Sequence, residues 1–262
     1  MKLFFGEFKP DYQRYHFPYQ VWLLKEPGDE VEKIYERGFL PIRSIADVYY
    51  LCRSLRVNLA EFELSSENRR ILRKTQNIVS RLLPLSEFSY TPQIQKLCKD
   101  YAEQRFGKGI FPAAAIRSIF RGQVYSHILV FKDNQKQKDV GWAVCFINEN
   151  LLQYAHAFYE LDYFEQSLGA RMILEAVSGA KEDNKKFAYL GTGYEKSALY
   201  KTEFKGVEFF NGFSWSPNLK ELKGLLKRES KEYLLRDKDY LDSFHEGDLH
   251  KLLDNFGVRV NF

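Results

Sequence analysis

The stretch from residue 124 to 159 constrains the fold more than any other. It carries three β-like runs, Val124–Phe131, Val140–Ile147 and Leu151–Tyr159, parted only by the turn-forming Asp133-Asn134-Gln135 and Asn148-Glu149-Asn150. A helical pattern follows from Ser167 to about Ala180, its apolar face made by Leu168, Met172, Ile173, Leu174 and Val177. Phe187–Leu190 then reads as a buried strand, Glu195–Lys201 as a short helix and Val207–Trp215 as an aromatic-rich strand. Antiparallel strands followed by helix, strand, helix and strand predict an α/β or α+β layered domain.

Upstream, residues 1–64 read as short strands and turns around one helix, Asp29–Arg37, closed by Gly38. Arg56–Phe62 alternates as a half-exposed strand does. The most regular helix signal starts at the N-cap Ser65, with Glu67 in the first turn, and runs to Leu83 before Pro84. At ~100° per residue, Arg69, Arg70, Arg73, Lys74 and Arg81 fall within roughly 0–140°. Ile71, Leu72, Ile78, Val79, Leu82 and Leu83 fall opposite. Charge patterning alone reads such a stripe as a solvated face, but only Glu67 is close enough to pair with it, and a phosphate-backbone contact is the sharper reading. Ser216-Pro217 opens a last helix with Leu219, Leu222 and Leu226 as its buried stripe. No repeat, low-complexity segment or linker is present. The Pro84–Pro92 junction divides the chain best, into an N-terminal part, 1–84, and a larger part, 85–262.

Composition narrows the function classes. Three cysteines, Cys52, Cys98 and Cys145, stand too far apart for a C-x-x-C metal clamp and suit a reducing cytosol. The first residues lack a signal peptide's apolar run, and no segment approaches the ~20 apolar residues of a membrane span. A cytoplasmic protein is expected, with neither membrane nor DNA as partner. The net charge of +4 matters only through its grouping. Aromatic residues, at 16 %, are enough both for a core and for a site that stacks bases.

Two local patterns bear on chemistry. Gln166-Ser167-Leu168-Gly169-Ala170-Arg171 follows a strand and opens a helix, where unpaired N–H groups and a glycine suit an anion. It approximates the acetyltransferase Q-x-x-G-x-G/A loop, with Arg171 in the last position. Tyr154, His156, Phe158 and Glu160 alternate along one strand beside Tyr159, and a carboxylate among aromatics is a candidate general base as well as an ordinary strand-end residue. His127 and His156 read as core or surface residues, not as metal ligands.

Taken together, Phe158-Tyr159-Glu160-Leu161, Gln166-Ser167-Leu168-Gly169, Phe187-Ala188-Tyr189-Leu190-Gly191 and Tyr200-Lys201-Thr202-Glu203-Phe204 resemble the ordered blocks FYDP, SLG, YLG and YKxxF of the arginyl-tRNA–protein transferase family, its bacterial leucyl-transferring branch included. Cys52-Arg53-Ser54-Leu55-Arg56-Val57 and Ser66–Lys74 resemble two blocks upstream. The family's N-terminal cysteine cluster is reduced here to Cys52, FYDP reads FYEL, and the stretch between YLG and YK is short.

The resemblance implies a GNAT-like mixed sheet flanked by helices, with a smaller N-terminal α+β subdomain. It implies an enzyme moving an amino acid, arginine first and leucine second, from charged tRNA to an acidic protein N-terminus. Aminoacyl-tRNA would be the co-substrate, with no other cofactor and no metal. Glu160 and Tyr159 would sit at the reacting centre, and Ser167, Leu168 and Gly169 would offer N–H groups to the terminal adenosine's phosphate. Tyr189, Gly191, Tyr200 and Lys201 would shape the acceptor pocket, and Arg56, Arg69, Arg70, Arg73 and Lys74 would hold tRNA phosphates or the acidic side chain. The alternatives are an acyl-CoA-dependent acyltransferase and an inert tRNA- or peptide-binding relative.

Overall fold

A computed structural model describes residues 1–229 and 233–254. Residues 230–232 and 255–262 lie outside the described residues. In chain order the elements are β1 (Lys2–Glu7), β2 (Tyr19–Leu24), α1 (Val31–Glu36), β3 (Phe39–Pro41), β4 (Val48–Leu51), β5 (Ser54–Asn58), α2 (Ser66–Lys74), β6 (Ile78–Pro84), α3 (Pro92–Phe106) and α4 (Ala113–Arg121). There follow β7 (His127–Asp133), β8 (Lys138–Ile147), β9 (Leu151–Tyr159), α5 (Leu168–Glu182), β10 (Phe187–Thr192), β11 (Val207–Phe210), β12 (Trp215–Ser216), α6 (Leu219–Lys227), α7 (Lys238–Phe244) and α8 (Leu249–Asp254).

The expected α/β class holds. A mixed eight-stranded sheet runs β12-β11-β5-β10-β9-β8-β7-β6, and a smaller sheet runs β1-β2-β4-β3. Within the large sheet β9 and β10 are the parallel pair, joined by the α5 crossover; β7, β8 and β9 form the antiparallel meander. Helix α5 packs Met172, Ile173, Leu174 and Val177 into the main core, each 1 % exposed or less. The small sheet and α1 share a second core with Leu151 and Tyr189 of the large sheet. There the buried Tyr35 hydroxyl donates to Gln153 Oε1 at 2.6 Å, which ties the two sheets together.

Several elements differ from the sequence reading. The helix from Ser65 stops at Lys74, and Ile78–Pro84 is instead a strand pairing along its whole length with β7. Apolar residues at 78, 79, 82 and 83 fit a helical face, but as an edge strand they also serve, and the ladder to β7 decides between the two. Arg81 therefore leaves the cationic stripe and makes a bidentate pair with Asp139 at 2.7 and 3.0 Å. Strand β5 is buried, not half-exposed, because β10 and β11 flank it. Val207–Trp215 is a hairpin, bent where Asn211 Oδ1 accepts from the Phe213 and Ser214 amides. The helix expected from Ser216 is α6, capped by Asn218 two residues later, and it is not the last, since α7 and α8 follow. Both β5 and β6 come from residues before Pro84, so the large sheet draws on both sides of that junction.

Candidate functional site

Strands β9 and β10 are in register only over Leu151–Gln153 and Phe187–Tyr189. Beyond that they part. A bulge at Val144/Cys145 opposite Tyr154 and His156 bends β9, and another at Tyr189/Gly191 bends β10, where Gly191 takes φ +83°. The carboxyl ends of a parallel pair are where open α/β sheets leave a crevice. Two adjoining cavities occupy it, of about 550 and 590 Å³.

The first cavity is lined by Tyr154, Phe158, Arg105, Tyr194, Glu195 and Tyr200 among others. The second is lined by Trp22, Arg43, Tyr50, Tyr125, Gln153 and Gly191 among others. Phe106, Phe111, Ala155, His156, Thr192 and Lys201 border both. In this shared wall the Lys201 amine donates to the Thr192 carbonyl at 3.3 Å, and burial pushes its pKa down to about 8. His156 Nε2 lies 3.0 Å from the Tyr125 hydroxyl; burial, aided by the Arg43 and Lys201 charges, pulls its pKa down to about 3 and keeps the ring neutral. Arg43 stacks its guanidinium 4.5 Å from the centre of the Phe111 ring. The crevice thus offers neutral imidazole, a weakly basic amine, two arginines and many rings.

Of the residues singled out in the sequence, Tyr154, His156, Phe158, Gly191, Tyr200 and Lys201 meet at this crevice. Tyr189 does not; it is 1 % exposed and packs against Tyr35 in the second core. Glu160 lies beyond the cavity walls, its carboxylate 2.5 Å from the Lys138 amine. Tyr159 is buried with its ring 4.8 Å from that of Tyr101, and its hydroxyl lies against Gly169 so closely that a Cβ there would come within 3.0 Å. Ser167, Leu168 and Gly169 open α5 as expected, but Lys74 reaches over from α2 and donates to the Glu165 carbonyl at 2.6 Å and to Ser167 Oγ at 3.3 Å. Arg171 turns to Glu175 at 2.7 Å.

The cationic residues separate into two kinds. Arg56 is 8 % exposed, bonds Glu208 at 2.7 Å and lies 3.9 Å from both the Phe187 and Trp215 ring centres, so its charge is spent inside the sheet. Arg69, Arg70, Arg73 and Lys74 are exposed on α2. Arg70 pairs with Glu67, and Arg69 donates to the Leu64 carbonyl at 2.7 Å. Among the described residues no group of three or more His, Cys, Asp and Glu could hold a metal, and all three cysteines are buried and free. No described helix is long and apolar enough to cross a membrane.

The sequence reading passed over Arg43, Arg105, Phe106 and Phe111. The last three belong to α3 and the loop after it, and the N-cap Thr91 followed by Pro92 at the first helical position is the signal that marks that helix. Arg43 sits in an irregular loop with no such mark.

No protein-family model matches the chain. Among solved structures, a GCN5-related glucosamine N-acetyltransferase region of a fungal multi-domain β-N-acetylglucosaminidase superposes with a TM-score of 0.41 at 8 % identity, covering 60 % of this chain and 19 % of that one. L-PGS from Bacillus licheniformis gives 0.36 at 12 % identity, covering 68 % and 65 %. Both superpositions are too loose to bear on activity. Among curated proteins, the aspartate/glutamate leucyltransferase of Ruegeria pomeroyi is 25 % identical over 172 residues, covering 63 % of this chain and 61 % of that protein. The protein of the same name from Dinoroseobacter shibae is 29 % identical over 183 residues, covering 63 % and 62 %. The chain spans about three fifths of the length of these relatives, and its sequence is similar to bacterial enzymes named aspartate/glutamate leucyltransferases.

Proposed function

We propose that the chain is an aminoacyl-tRNA–protein transferase that moves an amino acid from charged tRNA to the N-terminal α-amine of a protein beginning with Asp or Glu, acting in the cytoplasm. One observation carries this reading: the sequence similarity to enzymes bearing the name aspartate/glutamate leucyltransferase, 25 to 29 % identical over 63 % of the chain. That name favours leucine as the donor, ahead of the arginine to which the family blocks alone point.

The crevice supports the chemistry. The neutral acceptor amine attacks the ester carbonyl carbon of the aminoacyl-tRNA, the C–N bond forms, and the carbonyl oxygen takes up negative charge. Collapse then breaks the C–O bond, and the ribose hydroxyl leaves with the proton that the amine gives up. Lys201, in its ammonium form, places a charge where that oxyanion develops, in a partly dry wall where such a charge counts most. Arg105 and Glu195 both line the first cavity; Arg105 holds the acidic side chain of the acceptor, and Glu195 orients the amine. On α2, Arg69, Arg73 and Lys74 contact tRNA phosphates. At the start of α5, Ser167 meets Lys74 and Gly169 meets Tyr159, which narrows the room for a coenzyme pyrophosphate.

The test incubates the protein with labelled Leu-tRNA, Arg-tRNA or acetyl-CoA and a peptide beginning with Asp, Glu, Asn or Gln. Label passing from Leu-tRNA to the Asp and Glu peptides is the expected result. Transfer from Arg-tRNA alone would change the donor. Label only from acetyl-CoA, or none from any donor, would overturn the reading.

A further inference from the structure

The small sheet turns one face toward α1. Its other face carries a cross-strand row, Phe4, Trp22, Tyr50 and Leu40, set by the pairings Phe4↔Trp22, Trp22↔Tyr50 and Leu40↔Tyr50. The Phe4 and Trp22 ring centres are 6.3 Å apart and their planes differ by 13°, so the two rings stack nearly parallel across the strand pair. Phe4 is 44 % exposed at the outer end of the row. A Cβ on Gly6 would come within 3.3 Å of Trp22 Nε1, so glycine there lets the indole lie close on β1. Tyr50 follows at 6.3 Å from Trp22, tilted by 53°. The inner end of the row opens into the crevice: Trp22, Tyr50 and Leu40 line the second cavity together with Arg43 and Lys201. Neither Asp nor Glu is among the described residues that line it.

We infer that this aromatic shelf holds the unpaired 3′-terminal nucleotides of the tRNA, with Arg43 taking a phosphate and the ester-bearing end delivered to Lys201; the inference rests on the transferase reading above. A single-stranded nucleic acid needs flat rings for its bases and cations without nearby carboxylates for its phosphates, and this surface supplies both. An acidic peptide would use the two cations but leave the exposed Phe4 ring, stacked on the half-buried Trp22, without a partner. An apolar peptide would leave the cations without one. The placement also orders the reaction. The donor enters along the small sheet into the second cavity, the acceptor enters through the first, and the two meet at the wall that carries Lys201 and His156.

The experiment titrates the full chain with the single-stranded RNA trinucleotide CCA, following tryptophan fluorescence, and measures KM separately for charged tRNA and for an Asp-initiated peptide. The wild type should bind the trinucleotide with quenching. Phe4→Ala and Trp22→Leu should each weaken that binding about tenfold and raise KM for charged tRNA by a similar factor, with KM for the peptide changed less than twofold. Phe4→Tyr should behave as wild type. Phe4→Ala touches an exposed edge-strand residue, so it keeps the test valid should Trp22→Leu fold poorly. Unchanged CCA binding in Phe4→Ala overturns the inference, as does a rise in KM for the peptide with none for tRNA, which would give the shelf to the acceptor. Transfer that proceeds normally in Phe4→Ala sinks the shelf and spares the transferase reading. CCA binding that depends on Phe4 without transfer from any charged tRNA sinks the reading and spares the shelf.

Discussion

The Lys201 amine lies 3.3 Å from the Thr192 carbonyl oxygen, and burial pushes its pKa down to about 8 from an ordinary 10.5. The folded protein therefore gives up the Lys201 proton near pH 8, whereas the unfolded chain keeps its own up to pH ~10.5. Below pH 8 this difference costs stability, about 3 kcal/mol, and the cost fades as pH rises from 8 to 10.5. Lys201→Met should raise the urea midpoint at pH 7 and remove the upward trend between pH 8 and 10, while turnover falls by about two orders of magnitude. A variant that is no more stable than wild type at pH 7, or that turns over normally, would contradict this.

His156 titrates in the opposite window. Its folded pKa is drawn down to about 3, whereas the unfolded value is 6.5. Stability is thus complete above pH 6.5 and drains away as pH falls below it, because only the unfolded state takes up the proton. His156→Gln, which can still bond the Tyr125 hydroxyl, should flatten the loss of stability between pH 6.5 and 4.5. The pH–rate profile of the wild type should lack an imidazole limb from this residue.

Arg56 should prove structural. Replacing it by Ala removes two stacked rings' shared cation and leaves Glu208, 19 % exposed, without its 2.7 Å partner. A loss of about 3 kcal/mol is expected in chemical denaturation, and Arg56→Lys should recover little of it, since an ammonium cannot stack in the slot. The salt dependence of tRNA binding should stay as in the wild type.

On α2 the expectation reverses. Arg69→Glu with Arg73→Glu should leave stability within about 0.5 kcal/mol, weaken tRNA binding and lower the slope of log K against log salt by roughly 2. Arg81→Gln serves as the control, because Arg81 is engaged with Asp139 on a strand and should contribute nothing to that slope.

Glu160→Gln is the companion to Lys201→Met. With its carboxylate beside Lys138 and outside the cavity walls, Glu160 should tolerate amidation with turnover within a few-fold of wild type. A drop comparable to that of Lys201→Met would return Glu160 to the reacting centre.

These contrasts show which parts of the molecule the sequence makes readable. The β7–β9 meander and α5 were legible because their apolar periods are unambiguous and their turns are short. Residues 78–84 were not, since Ile78, Val79, Leu82 and Leu83 satisfy both periods, and only pairing with β7 separates them. Strand β5 looked half-exposed because Arg56 and Asn58 sit among its apolar residues, and nothing local announces that Arg56 is stacked between rings from β10 and β12. For the site, the family blocks led to Gly191, Tyr200 and Lys201, which do converge. Arg43 escaped because a cavity wall built by a loop has no period.

Strand β5 has a further consequence for how the protein is made. Its residues 54–58 hydrogen-bond on one side to 187–192 and on the other to 207–209, more than a hundred positions later. The centre of the large sheet thus stays unfinished until most of the polypeptide has left the ribosome, and loop closure over that span must precede any reward from the ladder. Fragments cut at Pro84 should not fold separately, and refolding should be slow, with the crevice among the last features to form.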